Sequence, residues 1–276
     1  PPGVGLIIYG CINNISIGKL FIAGIGPGIV LCVTLMIFTH FLSKKRGYLP
    51  SRTTKIPVSE KIAAVRPAFL PLLLPIIIIG GVRIGVFTAS EAGTVAIVYA
   101  VLLGLLYKEL TLKNVMQGCK ETVTTTASIM LIVAAATCFS WILTKEQIPQ
   151  QFSQWMISNI HNKYVFLIMV NIFLLIVGMF IEGNASMIVL APLLHPVAMA
   201  YGIDDIHFAM VYIFNCTIGA FTPPMGTLMF VSCGITKCPT KDFIKEAVPF
   251  YILFAIDIIV LTYIPQLTTF LVNVFY

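Results

Sequence analysis

The sequence predicts an all-α polytopic membrane protein, and three observations predict it. Hydrophobic residues make up 58% of the 276 and charged residues 10%, with a mean hydropathy of +0.98, which a soluble domain does not reach. Apolar stretches of helical length follow one another across short loops, without the alternation of barrel strands, and helices satisfy their own backbone hydrogen bonds inside a bilayer. The basic residues gather in three loops: Lys44, Lys45, Arg46, Arg52, Lys55, Lys61 and Arg66; then Lys108, Lys113 and Lys120; then Lys237, Lys241 and Lys245. The positive-inside rule puts these loops in the cytoplasm, so topology alone explains the net charge of +6 and no nucleic-acid partner is needed.

The elements follow in order. Residues 4–11 form an apolar half-helix after Pro1 and Pro2, closed by a turn at Asn13, Asn14, Ser16 and Gly18, and residues 19–42 form a full span. The first basic loop leads through an interfacial helix near 59–65 to a second span, 67–81, kinked by Pro71 and Pro75. A cluster of small and polar residues, 80–93, joins it to a third span, 94–107. Thr88 three residues before Glu91 is the pattern of a capping box for that helix. Arg83 in the same cluster is read three ways: snorkelling, paired with a carboxylate such as Glu91, or touching an anion. A fourth span covers 123–143. Residues 145–162 turn amphipathic, as expected of an interfacial helix with Trp155 at headgroup level. A last span, 247–271, carries the lone carboxylate Asp257, either a functional intramembrane charge or a helix-to-helix hydrogen bond in a protonated or paired state.

Between these lies the stretch that organises the rest, 182–226. The apolar runs 164–181 and 187–200 flank a polar tip, Glu182, Gly183, Asn184, Ala185 and Ser186, and the second run contains Pro192 and Pro196; together they predict a re-entrant hairpin over 164–200. Thr222, Pro223 and Pro224 then interrupt the apolar run 208–230, which unbroken would cross a bilayer core of roughly 30 Å. Non-helical backbone at membrane depth is tolerated only where it lines a site.

A shift of the chain by 222 residues lays Pro1-Pro2 on Pro223-Pro224, Cys11 on Cys233, Lys19 on Lys241, Phe21 on Phe243, Ile22 on Ile244 and Pro27 on Pro249. The same break, half-helix, turn and span recur, and an odd number of crossings separates them, so the repeats are inverted. Inverted repeats with broken helices point to a secondary transporter with a midplane site. Opened carbonyls with a Thr hydroxyl form an oxygen cage for a hard cation, here Na⁺, built from Thr222, Gly219 and Met225, while half-helix N-termini suit an anionic substrate. Seven cysteines lack metal-ligand or C-x-x-C spacing and read as small core residues. An intramembrane enzyme is disfavoured: His195 and His207 show no catalytic spacing with a Ser nucleophile, and HExxH is absent.

The motifs PPGVGLIIYG and KLFIAGIGPG, then GVFTASEAGTVA, then GIDDIHFAMVYIFNCTIGAFTPPMGTLMFV resemble, in order, those of the large membrane subunit of tripartite ATP-independent periplasmic (TRAP) transporters, the DctM-like family. The resemblance covers essentially the whole chain. It implies an inverted-repeat elevator-type importer of organic acids (C4-dicarboxylate, sialic acid or keto sugar acid) in the bacterial inner membrane, with Na⁺ as coupling ion and no cofactor. It also implies two partners, a small membrane subunit and a periplasmic substrate-binding protein. A sodium site would use Gly178, Gly219, Thr222 and Met225; the tip residues Gly183, Asn184 and Ser186 would face substrate or ion; and Arg83 is the near-membrane arginine available to a carboxylate. The helix breaks are Pro1, Pro2, Pro223 and Pro224. Domains follow as 1–15, the end of the first broken helix in the transport domain; 16–121, scaffold; 122–240, the second-repeat transport domain with hairpin 164–200 and broken helix 206–235; and 241–276, a last scaffold span. Asp205 stands where the family commonly has proline, a change in a turn. The start without Met reads as the middle of a longer polypeptide, and the rival reading is a self-sufficient Na⁺/anion symporter that needs no binding protein.

Overall fold

The computed structural model describes residues 3–48 and 57–276. The expected break at Pro1 and Pro2, and Pro50, Arg52 and Lys55 of the first basic loop, lie outside them. The described residues form thirteen α-helices. Six are long and apolar enough to cross a membrane, and a bent pair would make a seventh. The chain divides into two compact units, one holding residues 36–126 and the other 3–35 with 127–276, with boundaries inside α3 (Ile25–Lys45) and α6 (Leu112–Lys145).

The first unit is built on α4 (Val58–Ile84) and α5 (Ala89–Leu106). The interfacial helix expected near 59–65 is continuous with the second span in α4, which runs through Pro67, Pro71 and Pro75. Pro71 has no N–H to offer the Pro67 carbonyl one turn back. The Tyr107 hydroxyl, just past the end of α5, donates to that oxygen at 2.9 Å, and Tyr99 donates to the Leu70 carbonyl at 2.7 Å. Thr88 and Glu91 form the expected capping box: Glu91 N donates to Thr88 Oγ1, and Thr88 N donates to Glu91 Oε2 at 2.7 Å. The fourth span is longer than its apolar core suggested, because polar residues 112–122 continue the helix of α6.

In the second unit, α1 (Val4–Asn13), α2 (Ile17–Ala23) and the start of α3 accompany α7 (Ile148–Asn159), α8 (Lys163–Phe180), α9 (Gly183–Ala200), α10 (Asp205–Gly219), α11 (Thr227–Thr236), α12 (Thr240–Tyr263) and α13 (Gln266–Phe275). The expected hairpin residues form the helix pair α8 and α9, each long and apolar enough to cross a membrane, joined at Ile181 and Glu182. Both helices pack on α10, and α9 also packs on α1 and α7. At its open end Phe166 stacks on Tyr201 with ring centroids 4.6 Å apart. A chain of buried polar contacts ties α8 and α10 to the C-terminal helices. Asn215 donates to Asn171 Oδ1 and Asn171 to Thr262 Oγ1, while His207 is held between Thr268 Oγ1 at 2.8 Å and the Thr262 carbonyl. The Thr34 hydroxyl of α3 donates to Asp257 Oδ2 on α12 at 2.9 Å, the helix-to-helix hydrogen bond among the two readings of that carboxylate.

Two expectations need correction. The last span is not one helix: α12 and α13 meet at Ile264 and Pro265 with a bend of 51°. The repeat is visible as structure, but with a different register. Gly3, Val4, Asn13 and Asn14 match Gly226, Thr227, Thr236 and Lys237, a shift of 223, in two ten-residue helices that each end on a left-handed C-cap. Met225 stands between the proline pair and Gly226, whereas Gly3 follows Pro2 directly, so one inserted residue moves every later position, and Cys11 falls off Cys233.

Candidate functional site

The broken helix closes on itself and on the hairpin. After α10 ends at Gly219, Thr222 N donates to the Gly219 carbonyl at 2.9 Å, and Leu228 N of α11 reaches back to the Ala220 carbonyl at 3.0 Å. Met225 N donates to the Met179 carbonyl of α8 at 3.1 Å, which fastens the break to the end of the hairpin's first arm. There α8 and α10 touch backbone to backbone: a Cβ added at Gly219 would lie 2.7 Å from Gly178 Cα, and one added at Gly178 would lie 3.0 Å from Gly219 Cα. Only glycine permits that approach. The C-terminal turns of two helices, where carbonyl oxygens and the negative end of the macrodipole gather, thus converge on Gly178, Gly219, Thr222 and Met225. The Thr222 hydroxyl spends its proton on the Ile218 carbonyl at 2.9 Å, so what its oxygen can still offer is lone pairs.

A cleft of about 300 Å³ opens beside the break. Gly3 and Gly5 of α1, Glu182 to Asn184 of the tip, Cys216 and Thr217 of α10, and Thr227 of α11 are among its walls. The first turns of three helices therefore line one space. At α9 the end is occupied: Glu182 is the N-cap, accepting from Ala185 N at 3.0 Å and from Asn184 Nδ2 at 2.8 Å. The N-caps of α1 and α11 are Gly3 and Gly226, and neither supplies a side-chain acceptor. These two are the repeat-related helices.

A family model for the tripartite ATP-independent periplasmic transporter, DctM component, matches residues 1–267. The chain belongs to the DctM family. Among relatives of this DctM-family chain, a sialic acid TRAP transporter large permease protein, SiaM, of Vibrio cholerae is 40% identical over all of the chain and 64% of its own length. A C4-dicarboxylate TRAP transporter large permease protein, DctM, of Pseudomonas aeruginosa is 36% identical over 99% of the chain and 64% of its own length. A 2,3-diketo-L-gulonate TRAP transporter large permease protein, YiaN, of Escherichia coli is 34% identical over 97% of the chain and 63% of its own length. The chain thus spans a little under two thirds of the length of these three relatives. A member of this family is a transporter component and not an enzyme, and the apolar helices make the chain a multi-pass membrane protein.

Within this DctM chain the expected residues separate. Gly178, Gly219, Thr222 and Met225 come together, as do the helix-breaking Pro223 and Pro224 between them. Gly183 and Asn184 line the cleft. Ser186 does not: it is 1% exposed, with its hydroxyl against Tyr212 Oη at 3.4 Å and Cys216 Sγ at 3.9 Å, so it joins the hairpin to α10. Arg83 lies exposed in the last turn of α4, in the first unit. Three cleft residues were missed as site residues at the sequence level: Glu182, Gly3 and Gly5. Glu182 follows from the N-cap rule, since an acceptor directly before Gly183 is a helix-start signal. Gly3, the N-cap of α1, and Gly5 within it carried no signal besides the repeat.

Proposed function

We propose that this chain is the greater part of the large permease subunit of a Na⁺-coupled, binding-protein-dependent importer of an organic acid in the bacterial inner membrane. One observation carries the reading: the first turns of α1 and α11, neither capped by a side chain, line the same cleft, beside a point where two helix C-termini converge. N–H groups at such ends suit a carboxylate, and carbonyl ends with a Thr hydroxyl suit a hard cation. Na⁺ at Gly178, Gly219, Thr222 and Met225 would draw the end of α8 to the break and so order the tip at Gly183 and Asn184, coupling ion to substrate. Arg83 remains a proposed anion contact. The named substrates of the relatives, sialic acid, a C4-dicarboxylate and 2,3-diketo-L-gulonate, are all organic acids. Family membership supports two partners, a small membrane subunit and a periplasmic binding protein, and an elevator motion of residues 1–15 and 122–240 against a scaffold of 16–121 and 241–276.

The test is uptake of labelled sialic acid and of a C4-dicarboxylate into proteoliposomes holding the complete large subunit with its small partner, with and without an inward Na⁺ gradient and a binding protein. Uptake that needs both supports the reading. Uptake without a binding protein favours a self-sufficient symporter, and uptake indifferent to Na⁺ removes the ion site.

A further inference from the structure

The peptide unit that joins Phe221 to Thr222 is gripped at both ends. Its N–H, on Thr222, donates to the Gly219 carbonyl within the break. Its carbonyl, on Phe221, accepts from the Tyr251 hydroxyl at 3.0 Å, a side chain thirty residues further on in α12. Because a peptide unit is planar and rigid, fixing its oxygen fixes the direction of its N–H and the backbone from which Thr222 Oγ1 projects. Tyr251 is thus the point at which a separate helix acts on the backbone of the carbonyl cage. A cavity of about 250 Å³ walled by Phe221, Phe243, Tyr251 and Phe254 adjoins the bond, which gives the Phe221 end of the peptide room to rotate once the hydroxyl is gone.

We propose that Tyr251 is a positioning residue for the cation site, holding the Phe221–Thr222 peptide in the orientation that aims Thr222 and the neighbouring carbonyls at Na⁺; this rests on the Na⁺ reading above. Tyr251 does not touch the ion. It lowers the cost of assembling the cage by keeping the cage assembled before the ion arrives.

The experiment is thermal unfolding of the purified full-length permease, titrated with Na⁺ against K⁺ at constant ionic strength, for the unaltered protein, Tyr251→Phe, Thr222→Val and Phe254→Leu. Tyr251→Phe keeps the ring and removes one neutral hydrogen bond, so the Na⁺ concentration for half-maximal stabilisation should rise about threefold to tenfold. The melting temperature in K⁺ should fall only slightly, by the loss of one hydrogen bond, and Phe254→Leu, which alters the same cavity without touching the bond, should leave the Na⁺ midpoint in place. An effect of Thr222→Val on the midpoint with none from Tyr251→Phe overturns the positioning role and leaves the ion site standing. Equal shifts from Tyr251→Phe and Phe254→Leu, or a lower melting temperature in K⁺ with an unmoved midpoint, make Tyr251 a packing residue and overturn it too. An unaltered protein that does not respond to Na⁺ overturns both readings together.

Discussion

The helix pair α4–α5 and the break between α10 and α11 face the same difficulty and resolve it in opposite ways. Both have carbonyl oxygens set free by proline or by a broken turn in strongly apolar segments, where an unpaired polar group is costly. In α4 the Pro67 oxygen, freed because Pro71 has no N–H, is met by the Tyr107 hydroxyl, Tyr99 adds a further bond to the Leu70 oxygen, and the helix continues unbroken. At the α10–α11 break a tyrosine again meets one oxygen, that of Phe221, but the chain turns, a second helix end arrives at Gly178, and Thr222 contributes a hydroxyl. Proline in a membrane helix is therefore not itself a site. What distinguishes the two regions is whether the neighbours seal the freed oxygens or gather more of them.

That contrast can be broken or sharpened by substitution. The largest effect is expected from Gly219→Ala, whose Cβ would press on the Gly178 backbone. Overpacking of this kind costs about 1–3 kcal/mol of stability, and Na⁺-dependent uptake should disappear because the two helix ends no longer meet. Retained uptake would mean that their approach is not part of the ion site. Thr222→Val comes next: it keeps shape and removes the hydroxyl, and should raise the Na⁺ concentration for half-maximal uptake roughly tenfold, the scale of one lost hydrogen-bond-strength contact. Tyr107→Phe tests the sealed region. It should lower unfolding stability by about 1 kcal/mol, as the Pro67 carbonyl loses its partner, while the Na⁺ midpoint stays unchanged; a shifted midpoint would erase the distinction drawn between the regions. Asp257→Asn should do least, costing less than the roughly 1 kcal/mol of a whole hydrogen bond, since an amide oxygen still accepts from Thr34. Abolished uptake in that variant would instead favour a functional charge at Asp257.

Much of this was legible along the chain. The hairpin, the break at Thr222 to Pro224, the Thr88–Glu91 cap and the amphipathic helix α7 all depend on residues within a few positions of one another, which is the range over which caps, prolines and hydrophobic patterning act. Identity matching gave a shift of 222, whereas the bounds and left-handed C-caps of α1 and α11 lie 223 positions apart, with Met225 the extra residue before Gly226. Ser186 was misplaced for a related reason. It sits three residues after Gly183, so once α9 starts there it lies almost a full turn along the helix, on the face that meets Tyr212 and Cys216. The bend at Pro265 was hidden inside an apolar run whose hydropathy does not register a change of direction.

The sequence by itself determined that the chain is helical and membrane-embedded, where several of its helices start, and which family it belongs to. Each of these follows from local chemistry: apolar length, proline and glycine positions, capping side chains. Only the tertiary structure decided which freed carbonyl is covered and by whom, that Gly178 comes to lie against Gly219, that α1 and α11 open onto one cleft, and that Tyr251 reaches Phe221. Those pairings join residues from about thirty to more than two hundred positions apart, and hydropathy, being a property of each residue alone, carries no information about which distant partner completes its hydrogen bonds.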